Sequence, residues 1–247
     1  MTIRFSRAEY WLLDVAVESS VSIADLVNDD AAQELNRSSH QCTEQELADG
    51  LERLFADRFI TSYRHGVIKI GRRCGRPRRR SLTRPEIEVE LRRPKIPPIP
   101  DDPTDPLQIG GRHPDETYYE LTPAGGAAWE DFARPNWDLF IEGVGTQIDD
   151  SPDYVEPPCP SRGYAICPTR RMIERYIAVA HHIGNEIDMA SLRWDIVSPW
   201  KATYWKTLPT AIRARYKMIF RNAEDQGWPS LSSEVFDLPK WWYRWRS

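Results

Sequence analysis

Long apolar runs are missing from this 247-residue chain. No stretch approaches the ~20 consecutive apolar residues of a membrane-spanning helix, so a membrane partner is not expected. The opening Met1-Thr2-Ile3-Arg4-Phe5-Ser6 has no apolar core of a secretion signal, and the expected location is cytoplasmic. Cysteine is scarce, at positions 42, 74, 159 and 167. There is no CxxC pair and no Cys/His spacing of a zinc module, which leaves no metal site to assign. Cys159 and Cys167 are close enough in sequence to pair, but reduced thiols in a cytoplasmic chain are the simpler reading. P-loop, Gly-x-Ser-x-Gly and dinucleotide fingerprints are all lacking. No catalytic residue and no cofactor is assigned. His181-His182, with Glu174 and Glu186 nearby, has the spacing of a helix-surface salt bridge or a shared ligand set, and such histidines are usually structural.

Proline and charge of both signs are plentiful. The 20 prolines cluster, which argues for long irregular connections. The net charge of −4 hides blocks of opposite sign. Residues 1–60 hold 5 basic and 12 acidic residues, and 61–95 hold 12 and 3. Residues 96–189 hold 6 and 17, and 190–247 hold 10 and 5. Such alternation suits one localised basic surface rather than a uniformly positive coat.

Ser6-Arg7-Ala8-Glu9 and Thr43-Glu44-Gln45-Glu46 both fit the capping box, in which a hydroxyl and a carboxylate satisfy each other's helix end. Behind the first, Tyr10, Leu13 and Val17 recur at helical spacing, predicting a helix over about 7–19. Ser22 suits the cap of a short second helix carrying Ile23, Leu26 and Val27. Behind the second box, Leu47, Leu51, Leu54 and Phe55 repeat at i, i+4, i+7 and i+8, predicting an amphipathic helix over about 44–57. Phe59–Tyr63 reads as a strand, and Gly66–Ile70 as its continuation or its return. Residues 86–91 alternate Glu-Ile-Glu-Val-Glu-Leu, the period of an extra strand.

Tyr118-Tyr119-Glu120-Leu121-Thr122-Pro123-Ala124-Gly125 is a short β-run turning directly into a helix. Thr122 is a good N-cap, and Pro123 stands where a missing N–H has no helical partner to lose. This Tyr-x-Leu-Thr-x-x-Gly junction resembles the last strand and following helix of bacterial winged-helix proteins. The resemblance covers roughly 1–70 and 116–133. It implies a DNA-binding or regulatory protein, with transcription regulation as its expected role, whose third helix, 44–57, would present to DNA in that architecture. Between the strands lies a wing insertion, 71–116, far longer than a usual wing and therefore either functional or disordered. It holds the run Arg72-Arg73-Cys74-Gly75-Arg76-Pro77-Arg78-Arg79-Arg80 and then the Pro-rich Pro94–Pro100. Gly75-Arg76-Pro77 resembles the core of an AT-hook, which lies in a narrow minor groove, although Cys74 stands where a basic residue usually precedes the glycine. Arg72, Arg73, Arg76, Arg78, Arg79 and Arg80 are the candidate nucleic-acid-binding residues. The third helix points the other way, since Glu44, Glu46, Asp49, Glu52 and Asp57 would face a dense row of phosphates. Winged helices also serve as protein scaffolds, so a basic protein partner docking on that acidic helix is the alternative to DNA.

Residues 136–247 belong to no family named from the sequence. Thr169 suits the cap of a helix with Met172, Ile173, Tyr176, Val179 and Ile183 inward. Further helices are expected near 198–205 and 209–226. The last has Ile212, Tyr216, Ile219 and Phe220 inward and Arg213, Lys217 and Arg221 as a basic stripe, a possible second phosphate-contacting surface. Seven of the ten tryptophans fall from Trp194 onward. The expected architecture is α+β and mostly helical: a winged-helix-like domain over 1–135 and a Trp-rich helical region over 136–247.

Overall fold

The computed structural model describes residues 4–28, 40–64, 78–94, 116–147, 159–182 and 185–220. These fall into two compact units. The first holds the described residues up to Arg134 together with Thr203–Lys206, and the second holds Pro135–Ala202 and those from Thr207 on. The described residues form five α-helices and nine strands in three sheets, so the chain is α+β but not mostly helical.

In the first unit, α1 (Arg7–Val15) starts at the expected capping box. Glu9 N–H donates to Ser6 Oγ at 3.2 Å, and Ser6 N–H donates to the Glu9 carboxylate at 2.6 Å. A two-residue strand, β1 (Val21–Ser22), follows where the sequence reading put a second helix. Ser22 is spent in the ladder opposite Tyr118, and residues 23–28 after it form a bend and turns. Helix α2 (Glu44–Ala56) is capped by Thr43 and Glu46 and buries Leu47, Leu51, Leu54 and Phe55. It ends in a Schellman motif: Phe59 N–H donates to Leu54 O, and Arg58 N–H to Phe55 O, with Arg58 at φ 59. That tight exit feeds β2 (Ile60–Arg64) directly.

The alternating residues 86–91 form a helix, not a strand. Helix α3 (Arg84–Leu91) buries Ile87, Glu90 and Leu91, the i, i+3, i+4 set of one helical face. Its start is fixed by Thr83, whose N–H and hydroxyl both donate to the Glu86 carboxylate at 2.8 Å. Strand β3 (Thr117–Leu121) is the middle of an antiparallel sheet ordered β1-β3-β2. Ile60 pairs with Leu121 and Arg64 with Thr117, so the strand read at Phe59–Tyr63 lies against the β-run that precedes Thr122. Tyr119 is fully buried, and its hydroxyl donates to Leu12 O at 2.9 Å, tying the sheet to α1.

Helix α4 (Pro123–Ala133) begins at Thr122, which accepts from Gly125 N–H at 3.0 Å and donates to Arg58 O at 2.7 Å. The two glycines after it serve different neighbours. A Cβ on Gly125 would lie 1.8 Å from the Phe59 carbonyl oxygen, and one on Gly126 would lie 2.1 Å from the Trp205 ring. Trp205 is held there by a 2.8 Å hydrogen bond from its Nε1 to Val17 O. Beside it, the Tyr204 hydroxyl accepts from Leu121 N–H and donates to Ala16 O.

The described residues of the second unit overturn the helical expectation for 136–247. A four-stranded antiparallel sheet ordered β4-β5-β9-β6 is built from β4 (Glu142–Gln147), β5 (Cys159–Cys167), β6 (Glu186–Val197) and β9 (Ala211–Phe220). One helix, α5 (Arg170–His182), matches the expected 169–183 helix. It supplies Met172, Ile173 and Ile177 to a core with Ala165, Cys167, Ile187, Ala214, Tyr216 and Met218. The helix expected at 198–205 is instead a hairpin arm, β7 (Trp200–Lys201) pairing with β8 (Thr207–Leu208). Where described, the helix expected at 209–226 is instead strand β9, and residues 221–226 lie outside the described residues. Arg213-Ala214-Arg215-Tyr216-Lys217-Met218 alternates with period two, and that pattern governs the fold rather than the i, i+4, i+7 set of Ile212, Tyr216 and Ile219. Cys167 is a buried free thiol that donates to Asp138 O, which resolves the pairing question for that residue. Among the described residues no helix is long and apolar enough to cross a membrane.

Candidate nucleic-acid interface

Of the six arginines expected to bind nucleic acid, Arg72, Arg73 and Arg76 lie outside the described residues, as do Gly75, Pro77 and the reading of Gly66–Ile70. Arg78, Arg79 and Arg80 are described and exposed. They are held at the free side of β2. Ser62 N–H donates to Arg80 O at 2.8 Å and Arg80 N–H returns to Ser62 O at 2.9 Å, with a third bond from Ser62 Oγ to Arg80 O. The described end of the basic run, Arg78–Arg80, is therefore joined to the sheet edge through the hydrogen bonds of Arg80.

The three guanidinium groups differ in their partners. Arg79 donates to Glu120 on β3 at 2.5 Å, and that hydrogen bond raises its already high pKa. Arg80 donates to Glu86 at 2.6 Å. Arg78 has no carboxylate partner among the described residues. The Glu86 carboxyl is held down at about 2, first by the Thr83 backbone N–H, then by Arg80 and the Thr83 hydroxyl. Both arginine side chains are about half exposed, but Glu120 is only 14% exposed, so the Arg80–Glu86 pair is the solvent-facing one, of the kind that contributes ~0–1 kcal/mol. An incoming phosphate can therefore replace Glu86 on Arg80 at small cost, whereas Arg79 is held by the more buried Glu120.

Helix α2 carries the acids that the sequence set against DNA, and α3 answers most of them. Arg84 donates to Asp49 at 2.6 Å and to Glu52 at 3.2 Å, and Arg92 donates to Glu44 at 2.7 Å. The Arg84 guanidinium, 20% exposed, has its pKa raised by its hydrogen bonds to Glu88 and Asp49. Glu46 is spent as the helix cap, with its pKa lowered by the Thr43 backbone N–H. Across from α2, Glu90 of α3 is buried and clamped by Arg64 at 2.5 Å and Arg93 at 3.1 Å. The insertion thus packs a helix beside α2 and consumes its negative charge. Sequence reasoning missed this, although the signal was present: Thr83-Arg84-Pro85-Glu86 is a third capping box, immediately before Ile87 and Leu91.

The second basic stripe is also redistributed. Arg213 and Lys217 share one face of β9 with Arg215, while Arg221 lies outside the described residues. Arg213 makes a two-pronged contact with Asp195 at 3.1 and 2.5 Å, which lowers the Asp195 pKa. Arg215 reaches the same carboxylate at 3.6 Å. His181 lies on α5, while Glu174 is paired with Arg170. Among the described residues no group of three or more His, Cys, Asp or Glu could hold a metal ion. No family model, no curated protein and no solved structure matches this chain.

Proposed function

We propose that the first unit is a winged-helix-like, cytoplasmic DNA-binding module of a regulatory protein, contacting duplex through the basic segment that enters beside β2. Support comes from the order of its elements among the described residues: helix, short strand, helix, strand, an insertion carrying α3, strand and helix, in a sheet ordered β1-β3-β2. The observation that carries the reading is the Ser62–Arg80 double hydrogen bond, which fixes Arg78–Arg80 at the sheet edge next to β2, where a wing belongs. Contact through the segment, rather than through α2, is supported by α3, which packs against α2 and places Arg84 on Asp49 and Glu52 and Arg92 on Glu44. Arg84, 20% exposed and bonded to Asp49, Glu52 and Glu88, weighs against the scaffold alternative, because a basic partner would have to displace it from the acidic face it needs.

Arg76 sits at the centre of the Gly-Arg-Pro core, so it should carry whatever preference exists for narrow, A·T-rich minor grooves. Fluorescence anisotropy with an A·T-rich and a mixed-sequence duplex tests this. The parent should favour the A·T-rich duplex, and Arg76→Ala should bring the two affinities together. A parent that binds neither duplex would remove the reading.

A further inference from the structure

The face of the second unit's sheet that α5 does not cover carries three cross-strand rows of side chains. Ala214, Tyr216 and Met218 of β9 point into the core under α5, so Arg213, Arg215 and Lys217 point to the opposite face. The register then fixes their neighbours. One row is Arg162–Lys217–Asp188, the next is Tyr164–Arg215–Arg193, and the last is Ile166–Arg213–Asp195. Arg162, Lys217, Arg215 and Arg193 are all exposed. The last row is closed off electrostatically by the Arg213–Asp195 pair and by Glu142, the partner of Ile166. The first two rows set four cations against the single carboxylate of Asp188.

The middle row holds an anomaly. Arg193 stands directly opposite Arg215 in the ladder, and like charges in that position destabilise a sheet. Arg193 turns part of its guanidinium onto the carbonyls of Ala190 and Leu192 at 2.9 Å, beside the irregularity between Asp188 and Arg193. Among the described residues Arg215 has only its long contact to Asp195, with a side chain 59% exposed. An anion between the two guanidiniums removes the repulsion. In the same row lies Tyr164, half-buried, its ring anchored by a 3.3 Å hydrogen bond from its hydroxyl to Glu142. Cations flanking an aromatic ring on an open sheet match the chemistry of a nucleic-acid strand whose phosphates meet arginine while an unpaired base stacks on the ring. A duplex keeps its base faces stacked inside and offers nothing to Tyr164.

We infer that this sheet face binds single-stranded nucleic acid, with Arg162, Arg193, Arg215 and Lys217 on the phosphates and Tyr164 as the stacking platform. The inference stands on the second unit alone and does not depend on the winged-helix reading of the first.

The test uses the full chain and a fluorescein-labelled 15-nucleotide oligo-dT, with a mixed-sequence duplex as comparison, titrated at two salt concentrations. R193A/R215A should weaken oligo-dT binding and flatten the log K versus log salt slope by about 1.4, at ~0.7 per phosphate for single strands. Y164L should weaken it by about 5- to 150-fold, the range of one lost stacking contact. R193K/R215K should retain binding, which covers the case in which the alanine pair fails to fold. The thermal midpoint of R193A/R215A should equal or exceed that of the parent, because a repulsive pair has been removed; a purely structural role would lower it. Duplex binding should be untouched by these changes and should respond instead to alanines at Arg78–Arg80. Unchanged oligo-dT affinity and slope in R193A/R215A would overturn the inference. So would a duplex bound as tightly as oligo-dT and weakened by the same factor, since that describes a generic polyanion surface.

Discussion

Gly126→Ala should destabilise the protein, against the ordinary preference of helices for alanine. Within a helix the exchange is worth ~0.8–1.0 kcal/mol in favour of alanine. Here the new Cβ would sit 2.1 Å from Trp205 Cε3 and 2.5 Å from Cδ2 and Cζ3, whereas ordinary contact starts at 3.4 Å. The rigid indole must recede by about 1.3 Å, the difference between those distances. It cannot do so and keep the 2.8 Å bond from Nε1 to Val17 O. Overpacking of this kind costs ~1–3 kcal/mol, and the hydrogen bond adds ~1 kcal/mol. The balance is a loss of ~1–3 kcal/mol, or ~2–4 °C of Tm per kcal/mol for a chain of this size. The decisive assay is a cycle with Trp205→Ala, followed by differential scanning calorimetry. Once the ring is gone, Gly126→Ala should turn stabilising by ~0.8–1.0 kcal/mol, because only the helix preference remains. If Gly126→Ala raises Tm in the parent, or lowers it equally in both backgrounds, the packing of Trp205 on this helix is refuted.

Leu51 is fully buried in α2, so Leu51→Ala should cost ~2–5 kcal/mol; a denaturant midpoint equal to the parent's would contradict its place in the core. The Glu86 carboxyl, held at about 2 against an ordinary 4.5, should make the start of α3 sensitive to acid. Because the folded-state pKa is lowered, the stabilisation is fully present above pH 4.5 and is lost as pH falls through about 2. Amide-exchange protection at Ile87 should decline over that window in the parent, and Glu86→Gln should abolish the pH dependence.

The parts of the fold written as short-range chemistry were legible in the sequence. The Ser6/Glu9 and Thr43/Glu46 boxes fixed two helix starts, and the Leu47–Phe55 stripe fixed a core face. Thr122-Pro123 marked the strand-to-helix junction, and the strand pairing across it followed. What failed did so for local reasons. Glu86–Leu91 alternates as a strand would, but Ile87 and Leu91 are also i, i+4, and the overlooked Thr83/Glu86 box decides for helix. In β9 both periods fit, and pairing on both sides with β5 and β6 decides for strand, a long-range fact that no local window holds. The irregularity between Asp188 and Arg193 breaks the alternation of β6 and hid that strand too. At the candidate interface, the charge of the insertion was readable from composition. That Arg84 and Arg92 would spend their charge on α2 was not, because those ion pairs bridge residues 32 to 48 positions apart.

The central claim, that the basic segment beside β2 meets duplex phosphates, is tested most directly by the salt dependence of duplex binding in Arg76→Ala/Arg78→Ala/Arg79→Ala/Arg80→Ala. Each arginine neutralises about one phosphate at ~0.9 in slope, so the account predicts weaker binding and a log K versus log salt slope flatter by up to ~3.6. The fold should be retained, since Arg78–Arg80 are exposed and Arg80 is joined to Ser62 mainly through its backbone. A folded quadruple variant that binds duplex with the parent's affinity and slope would contradict the account.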